Sequence, residues 1–446
     1  MNILDEIKKF NNEIYLVGGA VRDFYLDKES TDFDLIVTDE DARDFARKIK
    51  GTFVPLDEKN KIYRVVVCDG SYVDVTNPVD SSLERDLMRR DLTMNAIAMN
   101  LKTNEVIDLC GGVADIKNKC INLISEQNFL DDPLRLLRVY RFQALLGFEI
   151  SPDTVATVCK HVNLIHQPAV ERVNYELLRL FGGEFADMAL LNMDKVWLLE
   201  EIFPFVKELK QVPPNTHHHL DLFNHSIETV KQIQQLYENA LPEVRKHLDR
   251  VDFGGLPRLA HLKLAGFMHD IGKFSTWTIE EGRHRFIKHD DIGAKITACL
   301  LKEMKFSSKQ AKYISQMVKY HLYPAQLMTQ GGDKAMMRFV RKLGDNAIDN
   351  IILSRADRLS ARGQAITDAM LEKNMKALDD LMNFYLDSRQ TLEPLPKLLS
   401  GDEVMEILNI KPSRALGEIM KALHEAQISG EITDKAAAIE FVKNCV

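Results

Sequence analysis

Two clusters of residues in this chain have the types and spacing that chemistry needs. Asp32-Phe33-Asp34 opens a strand-like run, and the two-residue alternation of a strand puts both carboxylates on one face. Two carboxylates side by side repel unless a divalent cation neutralises them. Mg2+ takes hard oxygen ligands and keeps substrate phosphates in its shell. Ions held this way activate a hydroxyl and stabilise a leaving pyrophosphate. Upstream, Leu16-Val-Gly-Gly-Ala-Val-Arg-Asp23 sets two glycines between a strand and a helix, where backbone N–H groups can approach an anion. Asp74, on a later strand, is either a third carboxylate or a solvated strand residue.

The second cluster is rich in histidine. His225 starts a helix after a polar turn, and His269-Asp270 sits in Leu264-Ala-Gly-Phe-Met-His-Asp-Ile-Gly-Lys273. His289, His321 and Asp357 follow. Imidazole and carboxylate together suit a divalent transition metal or Mn2+. An adjacent His-Asp pair cannot share one ideal helix face, yet both can turn toward a metal between helices. His217-His218-His219 reads as a surface loop.

These residues need scaffolds of two kinds. Up to about residue 128 the chain alternates short strand and helix patterns. Strands are expected at 14–17, 33–37, 63–68, 72–76, 96–100 and 106–108, and helices at 20–26 and 41–50. Asp69-Gly70 is a hairpin turn signal. This is an α+β pattern with a small, mostly antiparallel sheet. After residue 128 the strands are expected to stop. Helical period covers 133–146, 151–161 and 171–181, and 192–208 with a break at Pro204. Pro213-Pro214-Asn215 marks a boundary. A helical block from about 216 to 365 holds most of the histidines, Leu392 to Leu398 is a Pro-containing linker, and 401–446 is a helical tail broken at Pro412. The expected domains are therefore 1–128, 129–212, 213–365 and 366–446.

Composition sets the outer limits. At 446 residues, with 45% hydrophobic and 28% charged residues, the chain is not largely disordered and can fill more than one core. No run approaches the roughly 18 apolar residues of a membrane span, and the first residues lack the order of a signal peptide. The formal charge of −8 excludes a global basic field but not a local basic stripe for a structured RNA. Six scattered cysteines form no C-x-x-C pair, so a reducing cytoplasm is expected.

Four motifs in order carry a resemblance. The segment from Leu16 to Asp39 is similar to the opening motif of the class II tRNA nucleotidyltransferase and bacterial poly(A) polymerase family, whose head is polymerase-β-like. Arg89-Arg-Asp-Leu-Thr-Met-Asn95 resembles its ribose-recognition motif, and Asp131-Asp-Pro-Leu-Arg-Leu-Leu-Arg-Val-Tyr-Arg-Phe142 its base-selecting helix. Glu171-Arg-Val-Asn-Tyr-Glu176 resembles a later neck motif, and 411–443 the C-terminal helices. The implied fold is a nucleotidyltransferase head with a mixed, mostly antiparallel sheet, followed by all-α neck, HD and tail regions.

The resemblance implies that Gly19 and Arg22 contact the triphosphate, and that Asp32 and Asp34 are catalytic and hold Mg2+. It further implies that Arg90 and Asp91 sit near the ribose, and that Asp132 and Arg135 pair with the incoming base. The chemistry agrees. Three residues apart on a helix, a carboxylate accepts from an exocyclic amine while a guanidinium donates to a ring acceptor. Cytosine and adenine both offer that order; uracil and guanine do not. Arg138 and Arg141 meet triphosphate or RNA phosphates, or make ordinary ion pairs on a basic helix face. Most family members have Glu-Asp where this chain has Asp131-Asp132, so no role is given to Asp131.

The order H…HD…H…H…D resembles the HD-domain phosphohydrolases. There His225, His269, Asp270 and Asp357 are the core ligands of a divalent metal (Mn, Ni, Mg or Fe), His289 and His321 are extra positions for a second, and Lys273 contacts substrate phosphate. The expected activity is template-independent addition of C, C and A to tRNA 3′ ends from CTP and ATP, with a phosphohydrolase activity at the HD site. The alternatives are poly(A) polymerisation, addition of CC or A alone, and an HD phosphohydrolase with an RNA-binding head. The expected partners are tRNA, CTP and ATP, with no DNA and no membrane, acting as monomer or dimer. The stretch from Asp57 to Lys61 is a hinge or an ordinary polar loop.

Overall fold

The computed structural model describes residues 3–30, 32–58, 61–67, 70–330, 332–389 and 395–445. The chain divides into two compact units, one of residues 1–207 with 304–306, the other of 208–303 with 307–446.

The first unit is built on a seven-stranded sheet. Its strands are β1 (Ile14–Val17), β2 (Asp32–Val37), β3 (Thr52–Asp57), β4 (Ile62–Val66), β5 (Tyr72–Thr76), β6 (Ile97–Asn100) and β7 (Val106–Asp108), in the order β3-β4-β5-β2-β1-β6-β7. Only the β2–β5 pair is parallel, which sets Asp34 beside Asp74. Every residue of β1 is buried, as a central strand of continuous apolar character requires. In β2 the alternation is visible: Phe33 is buried while Asp32 and Asp34 face outward. The sequence pattern did not predict β3. It is largely exposed and contains Pro55, which an edge strand tolerates because one side of its backbone needs no partner. The β4–β5 hairpin forms as expected, although Asp69 of its turn signal lies outside the described residues, as do residues 59–60 of the hinge candidate and 392–394 of the linker.

Helices follow the sheet. Ser125 caps the helix Glu126–Asp131 and Ser151 caps Pro152–His161, each hydroxyl accepting a backbone N–H three residues on. The helices Leu134–Leu146 and Val170–Gly182 stand over the sheet's carboxylate-bearing residues. Asn128, buried, donates to the carbonyls of Met88 and Arg90 at 2.8 Å each and ties this helical layer to the head.

The second unit is helical with one exception. Strands Trp277–Glu280 and Arg283–Phe286 form a hairpin where the sequence was expected to be all helix. Its turn has positive φ at Glu281 (49°) and Gly282 (74°), the geometry that two-residue hairpin loops prefer. A two-residue parallel bridge, Cys120–Ile121 with Glu149–Ile150, likewise extends strand pairing past residue 128. The tail helices Gly401–Leu408, Arg414–Ser429 and Lys435–Lys443 enclose a core of their own around Val404, Leu423 and Val442. No helix among the described residues is long and apolar enough to cross a membrane.

One buried ionic network locks the helices that carry the histidine cluster. Asp349, fully buried on Ala347–Ser360, accepts from Arg258 at 2.8 Å and Tyr313 at 2.6 Å, and lies 2.7 Å from His247 Nε2. Arg258 begins the helix Arg258–Met268, so the pair fixes the two helices leading to His269 and Asp357. Removing one partner of such a pair strands a buried charge, which makes the register costly to change.

Candidate functional site

An open cavity of about 770 Å3 lies over the C-terminal side of β1 and the start of β2, and all ten residues expected at the nucleotide site line it. Gly19, Arg22, Asp32, Asp34, Arg90 and Asp91 come from the head. Asp132, Arg135, Arg138 and Arg141 come from the helical layer.

Asp34 faces the cavity from the exposed side of β2, with protein crowded around its carboxylate. Desolvation pushes its carboxyl up to about 6; Arg90 opposes the shift, and Asp74 and Asp32 add to it. Asp74 itself is taken by Arg64, which donates two bonds of 2.8 and 2.7 Å, and it does not line the cavity. Gly18 rather than Gly19 is the glycine that geometry demands. Its φ is +70°, and a Cβ there would stand 2.9 Å from Arg90 Nη1 and 3.4 Å from Asp34 Oδ2. At Gly19 the added carbon would meet Arg22 at an ordinary 3.6 Å. Gly18→Ala is therefore expected to slow nucleotide addition by about tenfold or more, since backbone strain of about 1–3 kcal/mol at φ +70°, ψ −130° is added to displacement of Arg90. Gly19→Ala should cost much less. Initial rates with thermal melts of both variants check this.

Asp91 and Asn95 form the hub between head and helices. Asp91 is buried; burial opposes its charge, but Arg138, Asn95 and the Leu92 N–H outweigh it and hold the carboxyl at about 2. Arg138 Nε donates to Asp91 at 2.8 Å, and Asn95 accepts from Arg22 at 2.9 Å. Arg90 Nη1 donates to the Asn95 carbonyl at 3.2 Å. Glu176, on Val170–Gly182, lies 2.6 Å from Arg141 and 3.5 Å from Arg138. Burial pulls the Arg141 guanidinium down to about 9 despite Glu176. Arg138 and Arg141 thus make ion pairs, one of the two roles left open for them, and still line the cavity. The sequence assigned no role to Asn95 or Glu176; both fall inside motifs it singled out, and that was the only available signal.

One expectation needs correction. Asp132 does not share a helix face with Arg135. The helix before it ends at Asp131, Asp132 is extended (φ −141°), and the next helix starts at Leu134. Pro133 causes this, because a residue before proline is driven out of the helical region. Asp132 and Arg135 nevertheless line the same cavity. Arg135 Nη1 donates to the carbonyls of Arg89 at 2.7 Å, Asn128 at 3.1 Å and Arg90 at 3.2 Å, and Asp132 accepts from Arg172 at 2.9 Å. Asp131 lies outside the cavity and accepts from Gln127.

In the second unit the histidines and aspartates converge as two groups sharing Asp270: His225, His269, Asp270 and Asp357, and Asp270, His289 and His321. The helix ends at Met268, so His269 and Asp270 occupy a turn; this is how neighbouring residues face one point. Asp270 Oδ2 is 3.1 Å from His269 Nε2 and 3.5 Å from His225 Nε2. Its Oδ1 is 3.3 Å from His289 Nε2 and 3.5 Å from His321 Nε2. Asp357 Oδ1 lies 3.2 Å from His225. His269, His289 and His321 each direct Nδ1 at a backbone carbonyl, at 2.7, 2.8 and 2.6 Å. That contact fixes the proton on Nδ1 and turns the Nε2 lone pair inward, as a metal-facing imidazole requires. Asp270 Oδ1 has no hydrogen-bond donor and faces only the two imidazole Nε2 atoms, while Oδ2 also meets the Lys273 ammonium. This donor set fits one or two divalent ions. Gly272 permits the close turn, since a Cβ there would collide with the His289 carbonyl.

Without a cation, the two carboxylates are balanced by protons. Burial disfavours the His269 imidazolium, but Asp270 and Asp357 prevail and push it up to about 10. Lys273 Nζ lies 2.5 Å from Asp270 Oδ2. His217 and His219 are exposed, as a surface loop requires, but His218 is not. It turns inward, edge-on to the His225 ring with centroids 4.6 Å apart and 3.5 Å from Lys273 Nζ. Burial and the neighbouring Lys273 pull its imidazole down to about 2.

A nucleotide-sized cavity with paired carboxylates on one wall and arginines on the other, on this sheet, defines a nucleotidyltransferase, and comparisons agree. Residues 14–122 match the Poly A polymerase head domain, 147–210 the probable RNA and SrmB-binding site of polymerase A, and 222–362 the HD domain. The A-adding tRNA nucleotidyltransferase of Deinococcus radiodurans is 32% identical over 96% of this chain and 94% of its own. The CC-adding tRNA nucleotidyltransferase of Thermus thermophilus is 31% identical over 96% and 93%. The chain belongs to the tRNA nucleotidyltransferase family and is an enzyme of the nucleotidyltransferase class. Its fold is also that of the Bacillus stearothermophilus CCA-adding enzyme solved with CTP, with a TM-score of 0.60 and 21% identity over 99% of this chain and 95% of that one.

Proposed function

We propose that the protein adds C, C and A to the 3′ ends of tRNA from CTP and ATP without a nucleic-acid template. The observation that carries this reading is the meeting of Asp32 and Asp34 with Asp132 and Arg135 around one cavity. In this assignment Asp32 and Asp34 hold Mg2+, which when bound lowers the barrier to attack by the RNA 3′-hydroxyl on the α-phosphorus and to pyrophosphate departure. Gly19 and Arg22 face the triphosphate, Arg90 and Asp91 the ribose, and Arg138 and Arg141 line the wall behind them. Asp132 accepts from the exocyclic amine of C or A, and the free edge of the Arg135 guanidinium donates to the neighbouring ring acceptor. We assign residues 1–128 to the head, 129–212 to the neck, 213–365 to the HD region and 366–446 to a tRNA-binding tail. In the HD region His225, His269, Asp270 and Asp357 hold a divalent metal, and His289 and His321 hold a second with Asp270, for phosphoester hydrolysis.

A second reading, addition of A alone or CC alone, is favoured by relatives that align along 96% of the chain, among them an A-adding enzyme and several CC-adding enzymes. One experiment separates the readings. Three RNAs, tRNA ending at the discriminator base, tRNA ending in CC and an unstructured RNA, are incubated with Mg2+ and CTP, ATP or both. C, C, then A on the first RNA, with arrest after A, is the expected result. A on the CC-ended tRNA alone, or CC without A, would establish a specialist. Long A tails on the unstructured RNA would establish a poly(A) polymerase.

A further inference from the structure

Asp132 is the residue on which base choice turns in this assignment, and its own segment holds its backbone more firmly than its carboxylate. It stands outside both neighbouring helices, in extended backbone forced by Pro133. Its backbone N–H donates to the Asn128 carbonyl at 3.3 Å and its carbonyl accepts from the Arg135 N–H at 3.0 Å, but the local bond to its carboxylate, from the Leu134 N–H to Oδ1, is long at 3.4 Å. The partner that fixes it comes from forty residues away: Arg172 Nη2 donates to Asp132 Oδ2 at 2.9 Å. Arg172 lies on Val170–Gly182 and lines the same cavity. Its bond occupies Oδ2, while Oδ1 keeps only the long Leu134 contact and a lone pair for a further donor.

We propose that Arg172 is a positioning residue that determines base specificity by clamping Asp132 as a one-sided acceptor. The inference rests on Asp132 reading the incoming base, as assigned above. Hydrogen-bond polarity distinguishes the bases. Cytosine and adenine present an amine to this position, uracil and guanine a carbonyl. An ionised carboxylate held by a cation only accepts, so it pairs with the amine and meets the carbonyl with repulsion. Freed from Arg172, the carboxylate can swing out of register about its side-chain torsions, and a water can enter to bridge it to a carbonyl edge. Rejection then falls more than acceptance does. Arg135 does not substitute for Arg172, because its Nη1 is spent on three backbone carbonyls.

The test uses the full chain and measures kcat/KM for CTP against UTP on tRNA ending at the discriminator base, and for ATP against GTP on tRNA ending in CC. Arg172→Ala is expected to lower the correct-to-incorrect ratio by about tenfold or more, and Arg172→Lys to recover part of it. Asp132→Ala should lower the ratio by itself, and the Asp132→Ala/Arg172→Ala pair should be no worse than Asp132→Ala alone. A thermal melt accompanies each variant, and Arg172→Gln stands in if the alanine variant does not fold. An Arg172→Ala enzyme that is slower with every nucleotide but keeps its ratio would overturn the inference and leave the tRNA reading standing. So would additive losses in the double variant. A wild-type enzyme that adds no nucleotide to either tRNA would overturn the tRNA reading itself, and this inference with it.

Discussion

Asp34→Asn is expected to reduce nucleotide addition about 1,000-fold, about 4 kcal/mol of transition-state stabilisation, while the histidine cluster keeps its metal. The substitution preserves shape, so β2 and its pairing with β1 and β5 stay intact. It removes the charge that, with Asp32, would neutralise a cation beside the triphosphate. Single-turnover addition, a thermal melt and metal content measured together check this. Loss of the melting transition and of bound metal together with addition would mean unfolding and count against it. A pH dependence follows from the same side chain. Desolvation, helped by Asp74 and Asp32 and opposed by Arg90, pushes its carboxyl up to about 6 in the metal-free fold. A carboxyl whose pKa rises on folding stabilises the fold fully below its unfolded value of 3.8, and this contribution is lost as pH rises through about 6. A cation held at Asp34 would compete with this proton for one site. At low Mg2+ the rate should fall as pH drops through about 6, and added Mg2+ should move that limb to lower pH. A limb that ignores Mg2+ would remove Asp34 from the metal site.

What the sequence made legible here is residue type at fixed local spacing. Asp32 and Asp34 were readable because strand alternation alone decides their common face. The histidine cluster was readable because its ligands sit inside a recurring order. The partners were not readable. Arg138 meets Asp91 across 47 positions and Arg22 meets Asn95 across 73, and no local period encodes such pairs. The error at Asp132 is of the opposite kind. Helical spacing suggested a shared face, but Pro133 acts on the residue before it and outweighs that pattern. His218 shows the limit of composition, since three successive histidines read as one exposed loop while the middle one is drawn under His225 and Lys273. Strand β3 failed for a related reason. Edge strands with exposed faces carry no alternation to read.

Asp270→Asn should lose nearly all bound divalent metal, whereas His321→Ala should lose only the ion it shares with His289. The asymmetry comes from geometry. Asp270 turns one oxygen toward the His225–His269 pair and the other toward the His289–His321 pair, so both candidate ions depend on its charge. His321 contributes to one group alone. Metal content after dialysis, by elemental analysis, distinguishes the variants, and retention of metal by Asp270→Asn would dismiss the shared-carboxylate arrangement. Proton release gives a second readout that needs no substrate. His269 is held near pKa 10 by Asp270 and Asp357 when no cation is present, so it carries a proton at pH 8. Its proton stabilises the metal-free fold below the ordinary imidazole value of 6.5, and that contribution is lost only as pH rises through about 10. A metal must displace the proton to use Nε2, so loading at pH 8 should release about one proton per chain, seen as a buffer-dependent heat in calorimetry. The Asp34→Asn protein should release the same amount, because its lost carboxylate lies in the other unit. No release from the wild type would mean that His269 is not a ligand, and the metal reading would then rest on the group of Asp270, His289 and His321.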